Sequence, residues 1–172
     1  MVTAETAAAL LPRGMHVERL YYAPDRPNGN GFSQDVAELR CRLFRALDGG
    51  SPADRACPPL TQGTEPGAAL WIYAGHGSPW QWAETSPSAE TPYLWYLYDA
   101  DARTNGERLP ILLSLRCLSG DFANPTLMIT DERLVLHDGG VVASLSATGQ
   151  GVNTGHAWLL HGLLPQLFAP DG

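Results

Sequence analysis

Cysteine is scarce in this chain. There are three, none in a CxxC pair, so neither a disulfide framework nor a zinc ribbon is indicated. Positive charge is also short. Eleven bases against eighteen acids leave a formal net charge of -7, which disfavours nucleic acid or an anionic membrane surface as the main partner. No apolar run reaches the ~18–20 residues of a membrane helix, and none of the chain reads as membrane-spanning. Met1–Leu11 is alanine-rich and carries Glu5, unlike the basic-then-apolar opening of a signal peptide. Internal repeats and low-complexity tracts are missing. No serine sits in a GxSxG elbow, and the Gly149–Gly151 turn lacks the lysine and spacing of a P-loop. His156 and His161 are five apart on one predicted helix, hence on different faces, and make no zinc pair. His137 near Asp131 and Glu132 has no ligand spacing either. No cofactor and no metal site is expected.

The chain does have the material for one domain with a core: 172 residues, 44% of them hydrophobic. Fourteen prolines and eighteen glycines cluster in a few loops. Ala4–Leu11 reads as a short helix stopped by Pro12 and Gly14. Met15–Tyr22 alternates and reads as a strand. Gln34–Leu47 places Val36, Leu39, Leu43 and Leu47 on one helical face, with Gly31 or Ser33 as its cap. Ser51–Gly67 is a polar loop. Ala68–Ala74 and Pro110–Leu115 are short apolar runs of buried-strand type, and Val141–Ala147 is a third. Ser78–Thr91 reads as a loop, with Trp80 and Trp82 packing on the sheet edge. Pro92–Ala102 reads as a helix, as does Thr126–His137, whose start is marked by Asn124 and Pro125. Val152–Phe168 is a strong helical pattern with Pro165 inside it. Strands and helices thus alternate, which argues for an α/β fold with a mainly parallel sheet and helices on its faces.

Two of the buried strands end in reactive residues. LWIYAGHGSPW (Leu70–Trp80) ends its apolar run at His76. PILLSLRCLSGDF (Pro110–Phe122) ends its run at Cys117. In a parallel α/β sheet, ligands sit at the carboxyl ends of strands, where both residues fall. A free thiol has a pKa of about 8.5. A neighbouring imidazole can take its proton and later protonate a leaving amine. The backbone N–H groups of Gly77 and Cys117 are candidate oxyanion donors, because a glycine lets the backbone approach a substrate carbonyl. Taken singly, a strand-end cysteine is more often a small buried hydrophobe and a loop histidine more often a solvated side chain. The pairing is what raises the functional reading. Cys41 on the predicted helix fits a structural role, and Cys57 lies in a proline-rich loop.

The YAGHGS of Tyr73–Ser78, the CLSGDF of Cys117–Phe122 and the DGGVVASLSATG of Asp138–Gly149, in this order, resemble the gingipain family of caspase-like cysteine peptidases (family C25). The resemblance runs from about Leu11 to Phe168. It implies a caspase-like three-layer α/β sandwich and a cysteine endopeptidase with His76 as catalytic histidine and Cys117 as nucleophile. It also implies an oxyanion hole from the Gly77 and Cys117 amides, and a substrate pocket near Gly149, Gln150 and Asn153. Arg116 stands where the family has a small residue, so it is expected to crowd that pocket or bring charge to it. Family members are longer. Residues 1–172 are therefore expected to be a single catalytic subdomain of a larger protein, acting on a protein or peptide substrate beside an upstream domain of the same or another chain. Export to the surface or medium is implied by resemblance alone. Two alternatives stay open: a catalytically inactive module that kept the fold, and a transferase using the same dyad.

Overall fold

LWIYA is an unbroken apolar run and ILLSL is interrupted only by Ser114, close to the pattern of strands buried on both faces. In a computed structural model, which describes residues 2–48, 67–86, 90–123 and 128–169, they form the centre of the molecule. The elements in chain order are α1 (Val2–Leu10), β1 (Tyr21–Tyr22), β2 (Phe32–Ser33), α2 (Val36–Asp48), β3 (Leu70–Ala74), β4 (Gly77–Ser78), β5 (Gln81–Trp82), β6 (Trp95–Tyr96), a 3-10 turn (Leu97–Ala102), β7 (Ile111–Leu115), α3 (Thr130–Leu136), β8 (Ala143–Ser146) and α4 (Asn153–Leu167). The central sheet has the order β3-β7-β8. It is parallel throughout, with Leu70 opposite Ile111, Ala74 opposite Leu115 and Ser114 opposite Ser146. A smaller antiparallel sheet, β4-β5-β6, follows directly from β3.

Side-chain alternation sorts the strands onto two cores. Trp71, Tyr73 and Leu112 face Leu47, Trp82, Trp95, Leu134 and Val141. Leu70, Ile72, Leu113 and Leu115 face Ala7 of α1 and Leu160 and Leu164 of α4. The first core is aromatic: Tyr73 stacks on Trp82 at 4.6 Å, and Trp71 lies 4.6 Å from Trp82 and 5.1 Å from Trp95. Trp82 is therefore a packing residue, while Trp80 is exposed.

Helix α2 starts at Asp35, whose Oδ1 accepts the N–H of Ala37 at 2.8 Å and of Glu38 at 3.4 Å. That carboxylate cap replaces the Gly31 or Ser33 expected from sequence. Cys41, on α2, is disulfide-bonded, which corrects the expectation that the chain has no disulfide. Ser51–Pro66, including Cys57, and the Asn124–Pro125 start signal lie outside the described residues. The described helix there begins at Thr130, with Ile129 at its N-cap.

Three other expectations change. Only Tyr21–Tyr22 of Met15–Tyr22 is a strand, paired with Phe32–Ser33; among the described strands β3 pairs only with β7, so the rest of that alternating run finds no ladder. Pro92–Ala102 is not an α-helix. Trp95 pairs with Trp82 in β6, because a bulky ring packs well on a pleated surface, and a 3-10 turn follows. The turn is anchored by Asp99, which accepts the Tyr96 N–H at 2.7 Å and both Nη atoms of Arg40 at 2.8 Å. Ser78–Thr91 holds the β4–β5 hairpin rather than loop alone.

Helix α4 has no charged side chain along its length. Its inner face holds Leu160, fully buried, and its outer face holds Trp158, 77% exposed. Leu160→Ala is expected to lower unfolding free energy by about 2–5 kcal/mol, and Trp158→Ala to change it by less than about 0.5 kcal/mol. Urea unfolding of both variants measures this. Equal losses would contradict the burial of the inner face.

Candidate active site

The site grows out of the β3–β7 register. Ala74 is opposite Leu115, and the Gly75 N–H still donates to the Leu115 carbonyl at 3.3 Å. His76 and Cys117 each stand two residues past those paired ends, on neighbouring parallel strands and at the same carboxyl edge. Counting on by the alternation of side chains, His76 has the parity of Leu70, Ile72 and Ala74. Cys117 has that of Leu113 and Leu115. Both parities belong to the face covered by α1 and α4.

His76 is exposed, and its backbone is fixed from two sides. Its carbonyl accepts the Tyr73 hydroxyl at 2.6 Å and the Ala83 N–H at 2.8 Å. Burial raises the Tyr73 pKa well above the ordinary tyrosine value, opposed by nearby Arg116, so the hydroxyl stays a donor. The His76–Ala83 bond makes that pair the bonded one, and Gly77 lies opposite Trp82 in the next, non-bonded pair. The Gly77 N–H is therefore turned away from β5.

Cys117 is half-buried and free. Its thiol lies 3.8 Å from the Gly151 carbonyl. Leu118 then adopts φ +57°, a left-handed conformation that is uncommon for leucine, and its N–H donates to the Gly149 carbonyl at 3.0 Å. That turn brings the Gly149–Val152 loop against the strand end. Gly149, Gln150 and Asn153 are all exposed there, next to the thiol and at the start of α4.

Arg116 is elsewhere. It has the parity of Leu112 and Ser114, so its side chain enters the opposite face, where it is fully buried. Its Nε donates to Ser114 Oγ at 3.3 Å. Nη1 donates to the Ser78 carbonyl and to the Gln81 carbonyl, the latter at 3.0 Å. Nη2 donates to Thr130 Oγ1 and to Asp131 Oδ1, the latter at 3.1 Å. Desolvation lowers the Arg116 pKa, opposed chiefly by Asp131. The expectation of a pocket arginine is thus corrected: this guanidinium is committed inside the molecule. The missing side chain of Gly77 serves it directly, since a Cβ there would stand 2.5 Å from Arg116 Cδ.

Sequence reasoning missed Asp131, the fully buried partner of Arg116, and Ser146, which donates to its Oδ2 at 2.7 Å. An arginine at the end of an apolar strand was the available signal, because a buried cation demands a carboxylate. It also missed His156, whose ring lies where a Cβ on Gly151 would be, 2.3 Å from Nε2. A cavity of about 680 Å³ runs between α1, the 15–22 segment and β3. It reaches Gly75 and His76; Cys117, Gly149, Gln150 and Asn153 do not line it. Among the described residues no His, Cys, Asp and Glu cluster could hold a metal.

The fold is the α/β caspase-like one. The complex of Porphyromonas gingivalis RgpB pro- and mature domains matches with a TM-score of 0.56 at 18% identity, over 76% of this chain and 26% of that one. The chain belongs to peptidase family C25, whose model matches residues 1–171, a family of cysteine peptidases. The Arg specific cysteine proteinase gingipain R (RGPB) also matches, with a TM-score of 0.46 at 22% identity, over 58% of this chain and 23% of that one. This chain thus spans about a quarter of the length of these structures. No curated protein matches it in sequence.

Burial against the Gly151 loop lowers the His156 pKa below its ordinary 6.5. The folded state then holds fewer protons than the unfolded one as pH falls below neutrality. The stability tied to neutral His156 is present above the unfolded pKa and is lost as pH falls through the folded one. Urea midpoints at pH 7.5 and pH 5.0 are expected to fall more for the wild type than for His156→Gln. Equal falls would remove His156 from the acid response.

Proposed function

We propose that this chain is the catalytic subdomain of a cysteine endopeptidase that cleaves peptide bonds through Cys117 and His76. The observation that carries the reading is the parallel register of β3 and β7, whose ends lead to His76 and Cys117 at one sheet edge. Family membership over residues 1–171 supports it independently.

In this mechanism the His76 imidazole takes the Cys117 thiol proton. The thiolate attacks the scissile carbonyl carbon, forming a C–S bond, and the carbonyl electron pair moves to oxygen. The Gly77 and Cys117 N–H groups would donate to that oxyanion; removing one such donor typically costs about 2.7–4 kcal/mol. Collapse of the adduct breaks the C–N bond, and the imidazolium gives its proton to the leaving amine. Water then attacks the thioester with His76 as base, and the thiol is restored as the acid product leaves.

Gly149, Gln150 and Asn153 would border the substrate residue before the cut bond, because their loop abuts the strand end at Leu118 and Gly151. The matched structure is a complex of pro- and mature domains. A neighbouring domain, from the same or another chain, would by analogy complete the substrate groove here. The inactive-module reading drew on Arg116 beside the nucleophile and on the upstream half that longer family members carry. The Arg116 side chain enters the other face of the sheet, which removes the first motive; the second stands, since the chain spans 26% of the matched structure.

Cys117→Ala and His76→Ala are each expected to reduce cleavage of an unstructured protein substrate by about 10⁴–10⁶-fold. Full cleavage by folded Cys117→Ala would sink the assignment. Retained cleavage in His76→Ala alone would leave the nucleophile but dismiss the base.

A further inference from the structure

We infer that Arg116 is a positioning residue: its buried guanidinium fixes the β4–β5 hairpin, and through it His76, against the strand that ends in Cys117. The inference rests on the Cys117–His76 reading and adds to it the part that sets the geometry.

The side chain satisfies the requirements of such a clamp. A guanidinium has five N–H donors in a planar fork, and here it meets five acceptors on four elements or turns. Ser114 is on β7, the Ser78 and Gln81 carbonyls are the two ends of the hairpin turn, and Thr130 and Asp131 open α3. Asp131 is itself tied to β8 through Ser146 and to the hairpin through Trp82, whose Nε1 donates to it at 3.3 Å. The hairpin begins at Gly77, directly after His76, and Arg116 directly precedes Cys117. One side chain therefore connects the backbone on either side of the proposed dyad across the sheet edge.

Proximity alone would not need an arginine. The turn carbonyls of a surface hairpin are ordinarily satisfied by water. This hairpin instead spends them on a donor from the neighbouring strand, at the cost of burying a charge and of leaving no room for a Cβ at Gly77. A lysine ammonium is a compact point charge and does not span the same set of acceptors. Arg116→Lys therefore keeps the charge opposite Asp131 and loses the fork.

The test is alkylation of Cys117 by iodoacetamide as a function of pH, in which the thiolate displaces iodide and a C–S bond replaces a C–I bond. The charged and titratable groups facing Arg116 are Asp131 from α3, Tyr73 from β3 and Cys117 beside it, and all are kept in Arg116→Lys. On the Cys117–His76 reading, the wild type is expected to be alkylated at pH 6 faster than His76→Gln, and that His76-dependent rate is the reactive limb. Arg116→Lys, shown folded by circular dichroism and a cooperative melt, is expected to lose at least tenfold in rate at pH 6. Its rate at pH 10, where the thiol ionises unaided, is expected to stay within twofold of the wild type. Asp131→Asn leaves the contacts to Ser78 and Gln81 and is expected to lower the melting temperature while retaining the limb. If Arg116→Lys does not fold, the paired change Arg116→Gln with Asp131→Asn removes both charges together and carries the same expectation as Arg116→Lys. A limb retained in a folded Arg116 variant overturns the clamp while leaving the dyad standing. A pH 6 rate that His76→Gln leaves unchanged overturns the dyad, and the clamp with it.

Discussion

A buried guanidinium organises this domain. Moving a cation out of water costs several kcal/mol, and the Coulombic return is secure only when every donor finds a partner. Arg116 finds five, and its carboxylate partner Asp131 accepts from Trp82, Thr130 and Ser146 as well. The network is therefore closed. Closed buried networks are demanding: loss of one ionic partner leaves the other charged and dry, typically a loss of about 3–5 kcal/mol. An apolar cluster of equal volume could stabilise the core as well, but it would tolerate a shifted hairpin. A fork with five directional bonds does not.

The same sheet separates this structural charge from the Cys117 thiol one residue later. Successive strand residues point to opposite faces. The Arg116 face is the one filled by Trp71, Trp82, Trp95 and Leu112. Cys117, two residues past β7, continues the parity of Leu113 and Leu115, and its thiol lies against the Gly151 carbonyl just before α4. The sequence Leu-Arg-Cys thus places a buried positive charge beside the proposed nucleophile, on the other face of the sheet. The left-handed turn at Leu118 then carries the chain out of the sheet and seats the Gly149–Val152 loop next to the sulfur.

The parts of this arrangement that were legible in sequence are those set by local pattern. Apolar runs located β3 and β7, and 3.6-residue periodicity located α2 and α4, because burial of one stripe or of a strand is written in neighbouring residues; β8 was also placed, but the third buried strand expected there is corrected, since Ala143 and Leu145 are exposed. The strand-end positions of His76 and Cys117 followed from the same runs. What escaped was non-local. Met15–Tyr22 alternates like a strand, yet strand formation depends on a partner ladder, and only its last two residues have one. Pro92–Ala102 has the apolar content of a helix, but Trp95 is drawn into a cross-strand pair with Trp82. Arg116 was read by its neighbour Cys117 rather than by its strand parity, and its partner Asp131 lies fifteen residues away on another element.

Gly77 serves both the buried network and the proposed oxyanion hole. From sequence, its bare Cα reads as room for a substrate carbonyl. In the structure the space is taken by Arg116, whose Cδ and Nη1 would lie 2.5 Å and 2.7 Å from a Cβ. The two uses do not compete, because they involve different directions from one residue. The Cβ direction points to the guanidinium. The N–H, in a non-bonded antiparallel position, points away from β5 and is the group the proposed oxyanion hole requires. A glycine there lets the clamp approach the hairpin closely, and the clamp in turn holds that N–H still. Preorganisation of this kind is what makes a backbone donor effective, since a dipole already fixed costs no reorganisation when charge develops on the substrate oxygen.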